Sequence, residues 1–388
     1  MRKRVAVLGA TGSIGLNTLD VLRGAQDDFE VVLLSGHTSA GPLLACARDF
    51  PGAILALSGE TAKPGNTGTG TISHHGTAAL LAAITSSGAD IAVNGISGAA
   101  GLAPSLAVLD AGADLALANK ETMVMAAPLV RERAAAKKSR IFPVDSEHAA
   151  IYNLLRSHCD GSHGDDTLEE ILLTASGGPF RTLSLEKMAA VTLAEALAHP
   201  TWSMGPKITI DSSTMANKGL EVIEAAGLFS VSADKVKVVV HPQSIVHSMI
   251  RLRDGAVYAQ LSKPDMRLPI HQALYGDACV PCPFGRLDFD GLTLGFEKPD
   301  FRRFPMLALA YRAAEKGGVY PAVYNGANEA AVASFLNNAA AFLDIPRIVE
   351  YVLNREWKEG KFTLESVLDA DHRARIIAGE YIAKKLEK

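Results

Sequence analysis

Cysteine is scarce in this chain: Cys46, Cys159, Cys279 and Cys282 are the only four in 388 residues. Four thiols spread over that length do not make a disulfide framework. Cys279 and Cys282 form a single C-x-x-C around Val-Pro, with no second pair to complete a zinc or redox motif, and coincidence accounts for it. Long hydrophobic runs are also missing. The uncharged stretch 91–109 is interrupted by Asn94, Pro104, two serines and several glycines, which makes it a poor membrane span. The basic start, Met1–Arg4, is followed only by Val5–Leu8 before Gly9, too short for a signal-peptide core. A cytoplasmic protein without a membrane partner is expected. No charge of one sign dominates: 38 Lys and Arg stand against 42 Asp and Glu, a formal net charge of −4. A protein built around nucleic acid needs a strong positive field to draw in phosphates, so that class is excluded. No internal repeat is present. What remains is an ordinary globular composition, 48% hydrophobic and 21% charged. At roughly 100–200 residues per domain the length gives two or three domains.

The first 145 residues alternate short apolar runs with helix-like segments. Val5–Leu8, Val31–Ser35, Ile91–Asn94, Leu115–Ala118 and Ile141–Val144 read as buried strands. Leu16–Arg23, Pro42–Asp49, Thr77–Ser86, Ser105–Asp110 and Thr122–Lys138 have helical periodicity. This alternation predicts a parallel, doubly wound, Rossmann-like sheet. The Gly/Thr/Ser-rich stretch Gly65–Gly76 reads as a surface loop or short hairpin, and the polar stretch His158–Thr167 as a mobile loop. Beyond it, Ile171–Thr174, Ile208–Asp211, Lys235–His241, Ile245–Leu252 and Val257–Leu261 read as strands of an α+β domain. After Phe296, the segments Phe304–Lys316, Ala327–Ala339, Ile345–Arg355 and Ala374–Leu386 predict a helical bundle. Three domains follow: 1–145, 146–290 and 291–388.

Gly9-Ala10-Thr11-Gly12-Ser13-Ile14-Gly15 lies between the first strand and the first helix. Glycines there permit a tight turn and let the backbone approach a pyrophosphate at the helix N-terminus. An NAD enzyme usually carries an acidic residue at the end of its second strand. Here that position reads Ser35-Gly36-His37-Thr38. No carboxylate repels a 2′-phosphate, and His37 and Thr38 can donate to one, so NADP(H) is preferred.

Acidic residues cluster twice. In Pro143-Val144-Asp145-Ser146-Glu147-His148 an extended backbone projects Asp145 and Glu147 to one side. In Asp211–Glu221, Ser212 or Ser213 is a plausible helix N-cap, and Asn217, Lys218 and Glu221 share a helix face. Three carboxylates without imidazole or thiolate suit Mg²⁺ or Mn²⁺. The same spacings also describe a solvated Asp-x-Glu loop and a surface Lys–Glu ion pair. Ser176-Gly177-Gly178 follows a strand and can form an anion nest; with Ser212, Asn217 and Lys218 it makes a phosphate clamp. His199-Pro200-Thr201-Trp202-Ser203-Met204-Gly205 suits a flap that excludes water from a small polar substrate. Asn119-Lys120-Glu121 follows another strand of the parallel sheet, at the carboxyl edge where α/β proteins bind ligands.

The segments GATGSIG (9–15), LANKET (117–122), PVDSEH (143–148), TASGGPF (174–180), HPTWSMGPKITIDSSTMANKGLE (199–221), HPQSIVHSM (241–249) and KPDMRLPI (263–270) occur in this order. From residue 4 to about residue 380 the chain resembles the 1-deoxy-D-xylulose 5-phosphate reductoisomerase family. The resemblance implies conversion of 1-deoxy-D-xylulose 5-phosphate to 2-C-methyl-D-erythritol 4-phosphate with NADPH and Mg²⁺ or Mn²⁺, in non-mevalonate isoprenoid biosynthesis. It also implies a homodimer, with an NADPH domain, a catalytic domain that carries the dimerisation sheet, and a C-terminal helical domain. By motif, Asp145, Glu147 and Glu221 hold the metal. Ser146, Ser176, His199, Ser212, Asn217 and Lys218 hold the substrate, with Trp202 and Met204 in the flap; Lys120, Glu147 and His199 are the catalytic candidates. Thr11, Gly12, Ser13, Ile14, Gly36, His37, Thr38, Asn119, Glu121 and Gly205 contact NADPH. The family commonly has a basic residue and Asn where this chain has His37-Thr38. Two other readings stand beside this one. A semialdehyde dehydrogenase-like enzyme shares the G-A-T-G loop but needs a nucleophilic cysteine. An NADP-sensing regulator leaves the carboxylates and the clamp unexplained.

Overall fold

The computed structural model describes residues 1–60, 66–67, 70–159, 167–198, 202, 204–357 and 360–386. The chain divides into two compact units. The first comprises Met1–Thr122, Val130–Ala149 and Asp265–Arg286; the second comprises Met123–Leu129, Ala150–Pro264 and Leu287–Lys388.

The first unit holds a seven-stranded parallel sheet. Its strands are β1 (Lys3–Leu8), β2 (Phe29–Gly36), β3 (Ile54–Leu57), β6 (His74–His75), β7 (Ile91–Asn94), β8 (Asp114–Leu117) and β9 (Ile141–Pro143). Their spatial order is β6-β3-β2-β1-β7-β8-β9. Leaving out the short β6, this is the doubly wound order, with its switch point between β1 and β7. The expected strands are present, and the apolar Ile54–Leu57 adds a further one. The stretch read as a loop or short hairpin contains a two-stranded antiparallel pair, β4 (Asn66–Thr67) and β5 (Gly70–Thr71). The late helix Arg267–Tyr275 also belongs to this unit. Arg267 pairs with Asp20 at 2.8 Å, and Lys3 Nζ donates to the Leu274 carbonyl at 2.9 Å.

The second unit has a mixed sheet and the C-terminal helices. Strand β10 (Leu168–Ala175) runs parallel to β11 (Val236–Val240) and antiparallel to β12 (Val246–Leu252), which pairs with β13 (Val257–Leu261). The second of the five expected strands, Ile208–Asp211, is instead part of the helix Pro206–Ser213. Pro206 sits in the first turn, where its missing N–H costs nothing, and this start signal outweighs the β-branched Ile-Thr-Ile run. The C-terminal helices are Pro305–Lys316, Tyr320–Leu336, Asp344–Leu353 and Leu364–Leu386. The last begins ten residues earlier than its periodicity suggested, because Thr363 and Ser366 exchange backbone-to-side-chain bonds at its start. No helix among the described residues is long and apolar enough to cross a membrane.

One close contact in this unit fixes the distance between two helices. A Cβ at Gly219, on the helix Ala216–Phe229, would lie 2.7 Å from Ala310 Cβ and 2.9 Å from Tyr324 Oη. Burial, with the nearby Asp211 carboxylate, pushes the Tyr324 phenol well above its usual value. It therefore stays neutral and donates to the Met306 carbonyl at 3.1 Å. Gly219→Ala is expected to lower stability by about 1–3 kcal/mol through overpacking, read as a fall in the urea midpoint of the second unit.

Candidate active site

In the first unit the glycine loop caps the carboxyl end of β1. Gly9 has φ +79°, and a Cβ there would lie 3.0 Å from the Gly95 carbonyl oxygen at the end of β7. A Cβ at Gly15 would meet Gly9 O at 2.3 Å and Ala10 C at 2.5 Å, so only glycine fits. Ser35 Oγ accepts from the Gly9 amide at 3.1 Å and holds the loop to β2. No side chain caps the helix Ser13–Arg23, so its first amides remain available to a ligand. Gly12 and Ser13 are exposed; Thr11 and Ile14 are half-buried. At the end of β2, Gly36 is buried while His37 and Thr38 are exposed. His37 Nδ1 lies 2.9 Å from Ser58 Oγ. Ser58 directly follows β3, and only the pairing of β3 with β2 brings it to His37, so no local sequence signal marks it.

Asn119 caps the helix Lys120–Lys137, its Oδ1 accepting from the Thr122 amide at 3.1 Å. Its Nδ2 donates to the carbonyls of Ile96 and Gly98 and to Glu121 Oε2 at 2.7–2.9 Å. Lys120 is 7% exposed and binds Asp145 Oδ2 at 2.6 Å, so it is no solvated helix start. The segment around Asp145 is not extended as expected. Val144 leads straight into the helix Ser146–His158, and the Asp145 carbonyl accepts from the Ala149 amide at 2.8 Å. Asp145 and Glu147 therefore stand at the positive end of a helix, where carboxylates are stabilised. Ser146 Oγ donates to Glu147 Oε2 at 2.6 Å. The fully buried His148, not singled out from sequence, places Nδ1 3.6 Å from Asp145 Oδ1. Its position, one turn after Asp145, was the available signal.

In the second unit the Ser176 turn follows β10. Gly177 and Gly178 have φ +83° and +69°, and a Cβ at Gly178 would lie 2.7 Å from the Ser212 carbonyl oxygen. The turn thus lies directly on the end of the helix that carries Ser212. Neither serine there is an N-cap. Ser212 and Ser213 end the helix Pro206–Ser213, and Met215, left-handed at φ 59°, caps the helix Ala216–Phe229. The two hydroxyls differ: Ser213 is buried and donates to the Ile210 carbonyl at 2.7 Å, whereas Ser212 is half-buried. On the next helix Asn217 Nδ2 and Lys218 Nζ both donate to the Glu221 carboxylate, which is 1% exposed. The expected shared face is present. Asp211, also buried, binds Lys207 at 2.9 Å and Asn328 Nδ2 at 2.8 Å. Trp202 and Met204 are half-buried and Gly205 is exposed; His199 lies outside the described residues.

Two sequence features have structural roles. His241 is buried, with Nδ1 2.8 Å from the Gly295 carbonyl and Nε2 accepting from the Ile245 amide at 3.2 Å. The four cysteines are free thiols. Cys46 and Cys159 are buried, and burial pushes the Cys46 thiol up, away from nucleophilic use.

Sequence profiles described as 1-deoxy-D-xylulose 5-phosphate reductoisomerase and its C-terminal domains match residues 5–127, 141–229 and 261–377. The 1-deoxy-D-xylulose 5-phosphate reductoisomerase of Laribacter hongkongensis is 45% identical over 96% of this chain and 97% of its own length. That of Chlorobium chlorochromatii is 47% identical over 98% of this chain and 100% of its own. The Zymomonas mobilis enzyme, solved in complex with NADPH, superposes with a TM-score of 0.88 at 40% identity, covering 98% of this chain and 99% of its own. A DOX-P reductoisomerase in complex with NADPH, fosmidomycin and magnesium gives 0.91 at 36% identity, covering 100% and 99%. With likeness of this degree along its whole length, the chain belongs to the 1-deoxy-D-xylulose 5-phosphate reductoisomerase family.

Proposed function

We infer that the chain converts 1-deoxy-D-xylulose 5-phosphate to 2-C-methyl-D-erythritol 4-phosphate with NADPH and a divalent cation, in isoprenoid biosynthesis. One observation carries this reading: a structure named with NADPH, fosmidomycin and magnesium matches the whole of this chain, not one domain of it. When bound, the cation supplies a Lewis acid for the substrate's oxygens and NADPH supplies the reducing equivalent. Asp145, Glu147 and Glu221 are its proposed ligands. They offer only carboxylate oxygens, the donor type that Mg²⁺ and Mn²⁺ prefer. Lys120 orients the Asp145 carboxylate through its 2.6 Å ion pair, and Ser146 orients Glu147 through its 2.6 Å hydrogen bond. Ser176, Ser212, Asn217 and Lys218 take the substrate phosphate, together with His199. Trp202 and Met204 cover the site and exclude water. The uncapped helix start at Gly12–Ile14 takes the pyrophosphate, His37 and Thr38 the 2′-phosphate, and Gly36, Asn119, Glu121 and Gly205 the rest of the cofactor.

Residues 1–145 serve NADPH, 146–290 the chemistry and 291–388 form the helical domain; the protein is cytoplasmic. It works as a homodimer built on β13. That edge strand leaves Val257 46% and Tyr258 38% exposed, an open pairing edge next to apolar surface.

Three experiments test these assignments. Stripping divalent cations with a chelator should abolish substrate-dependent NADPH oxidation, and Mg²⁺ or Mn²⁺ should restore it; full activity in metal-free buffer would refute the metal assignment. Glu147→Gln should cut turnover by no less than the roughly 10–100-fold typical of losing a group that merely supports a metal ligand, with the NADPH dissociation constant changed little. Val257→Asp with Tyr258→Asp should shift the sedimentation coefficient from dimer to monomer.

A further inference from the structure

The helices of the second unit line a half-open cavity of about 440 Å³ that none of the assigned residues lines. Its size falls in the range of about 300–1,000 Å³ usual for small-molecule sites. Leu309, Leu343 and Pro346 give it apolar wall, while Arg302, Arg303, Arg312 and Arg347 make it cationic. Glu350 is the one acid among the lining residues.

The four guanidiniums are not equivalent. Arg303 is committed to Asp300 at 2.8 Å and to the carbonyls of Arg181 and Leu183 at 2.8 and 2.9 Å. Arg347 pairs with Asp344 at 3.3 Å. Arg312 differs: its Nε and Nη2 are buried and have no acceptor among the described residues. Donors shut away from water without a partner cost free energy, and those of a cation cost more than neutral ones. Among the described residues Arg302 is bonded only through its backbone amide, to Asp300; its guanidinium makes no hydrogen bond or ion pair, although the exposed Glu186 carboxylate lies within its electrostatic reach.

We propose that this cavity is a second anion site, built for a small organic phosphate. The phosphate sits on Arg312 and Arg302, and its carbon body lies against Leu309, Leu343 and Pro346. Two free guanidinium forks ten positions apart suit a group with three free oxygens better than a planar carboxylate, which one fork satisfies. The location gives the site a mechanical link. Pro305, Ala308, Leu309 and Arg312 recur at i, i+3, i+4 and i+7, one stripe of the helix Pro305–Lys316. Met306 and Ala310, off that stripe, meet Gly219 on the helix that carries Asn217, Lys218 and Glu221.

Titration calorimetry of the full-length protein with n-butyl phosphate tests the site. The native chain should show a binding event that Arg312→Met weakens at least tenfold, while turnover stays within twofold. Met keeps the aliphatic stem in place, and Arg302→Met, on an exposed side chain, should act in the same direction without disturbing packing. Lys218→Met, which disables the catalytic clamp, should leave this event intact. Inorganic phosphate, lacking the carbon body, should bind at least threefold more weakly, and n-pentanoate more weakly still. A native protein whose only event disappears with Lys218→Met would overturn the proposal. So would events unchanged in both arginine variants, or equal affinity for the three probes. Because the readout is binding heat, failure here leaves the reductoisomerase assay untouched, and failure of that assay leaves the arginine effect readable.

Discussion

A carboxylate withdrawn from water must find donors nearby, because its desolvation outweighs any apolar packing gained around it. Asp145, Asp211 and Glu221 each meet this demand with a lysine: Lys120, Lys207 and Lys218. Breaking such a pair from one side leaves a buried charge behind, at a cost of about 3–5 kcal/mol. These lysines are thus structural before they are functional. The pairs also differ in how much of the fold each one needs. Lys207–Asp211 and Lys218–Glu221 close within single helices, whereas Lys120–Asp145 spans 25 residues and requires β8 and β9 to lie side by side.

Much of this was legible in the sequence because the signals are local. The glycine loop announces itself through positions where a Cβ cannot fit, and the strands flanking it through unbroken apolar runs. Asn217, Lys218 and Glu221 share a face because helix geometry at i, i+3 and i+4 leaves no other arrangement. The misreadings have equally local causes. Ile208–Asp211 is short and β-branched, so periodicity alone does not separate strand from helix, and it is Pro206 at the helix start that decides. Period-two alternation puts Asp145 and Glu147 on one side of a strand, whereas a helix begins between them.

What was not legible depends on long-range contact. Asn328 reaches Asp211 across 117 residues, and nothing in either segment names the other. His37 touches Ser58 only because β3 lies beside β2. The assignment of Asp265–Arg286 to the first unit likewise rests on Arg267, Lys3 and the packing of one helix, not on composition. The cationic cavity needs side chains from three separate stretches, none of which stands out alone.

Met215 has a consequence of another kind. Its single left-handed residue joins the helix ending at Ser213 to the one starting at Ala216, and so sets the rotational phase between them. Ser212 and the Asn217–Lys218–Glu221 face are in step only at this linker length. Each residue of an α-helix turns about 100°, so inserting or deleting one residue here would swing Glu221 and both its donors to another side of the helix. Whatever side chains fill positions 214 and 215, the length of this linker cannot change. Insertions and deletions should therefore be absent between Ser212 and Glu221 across the family, even where the amino acids themselves differ.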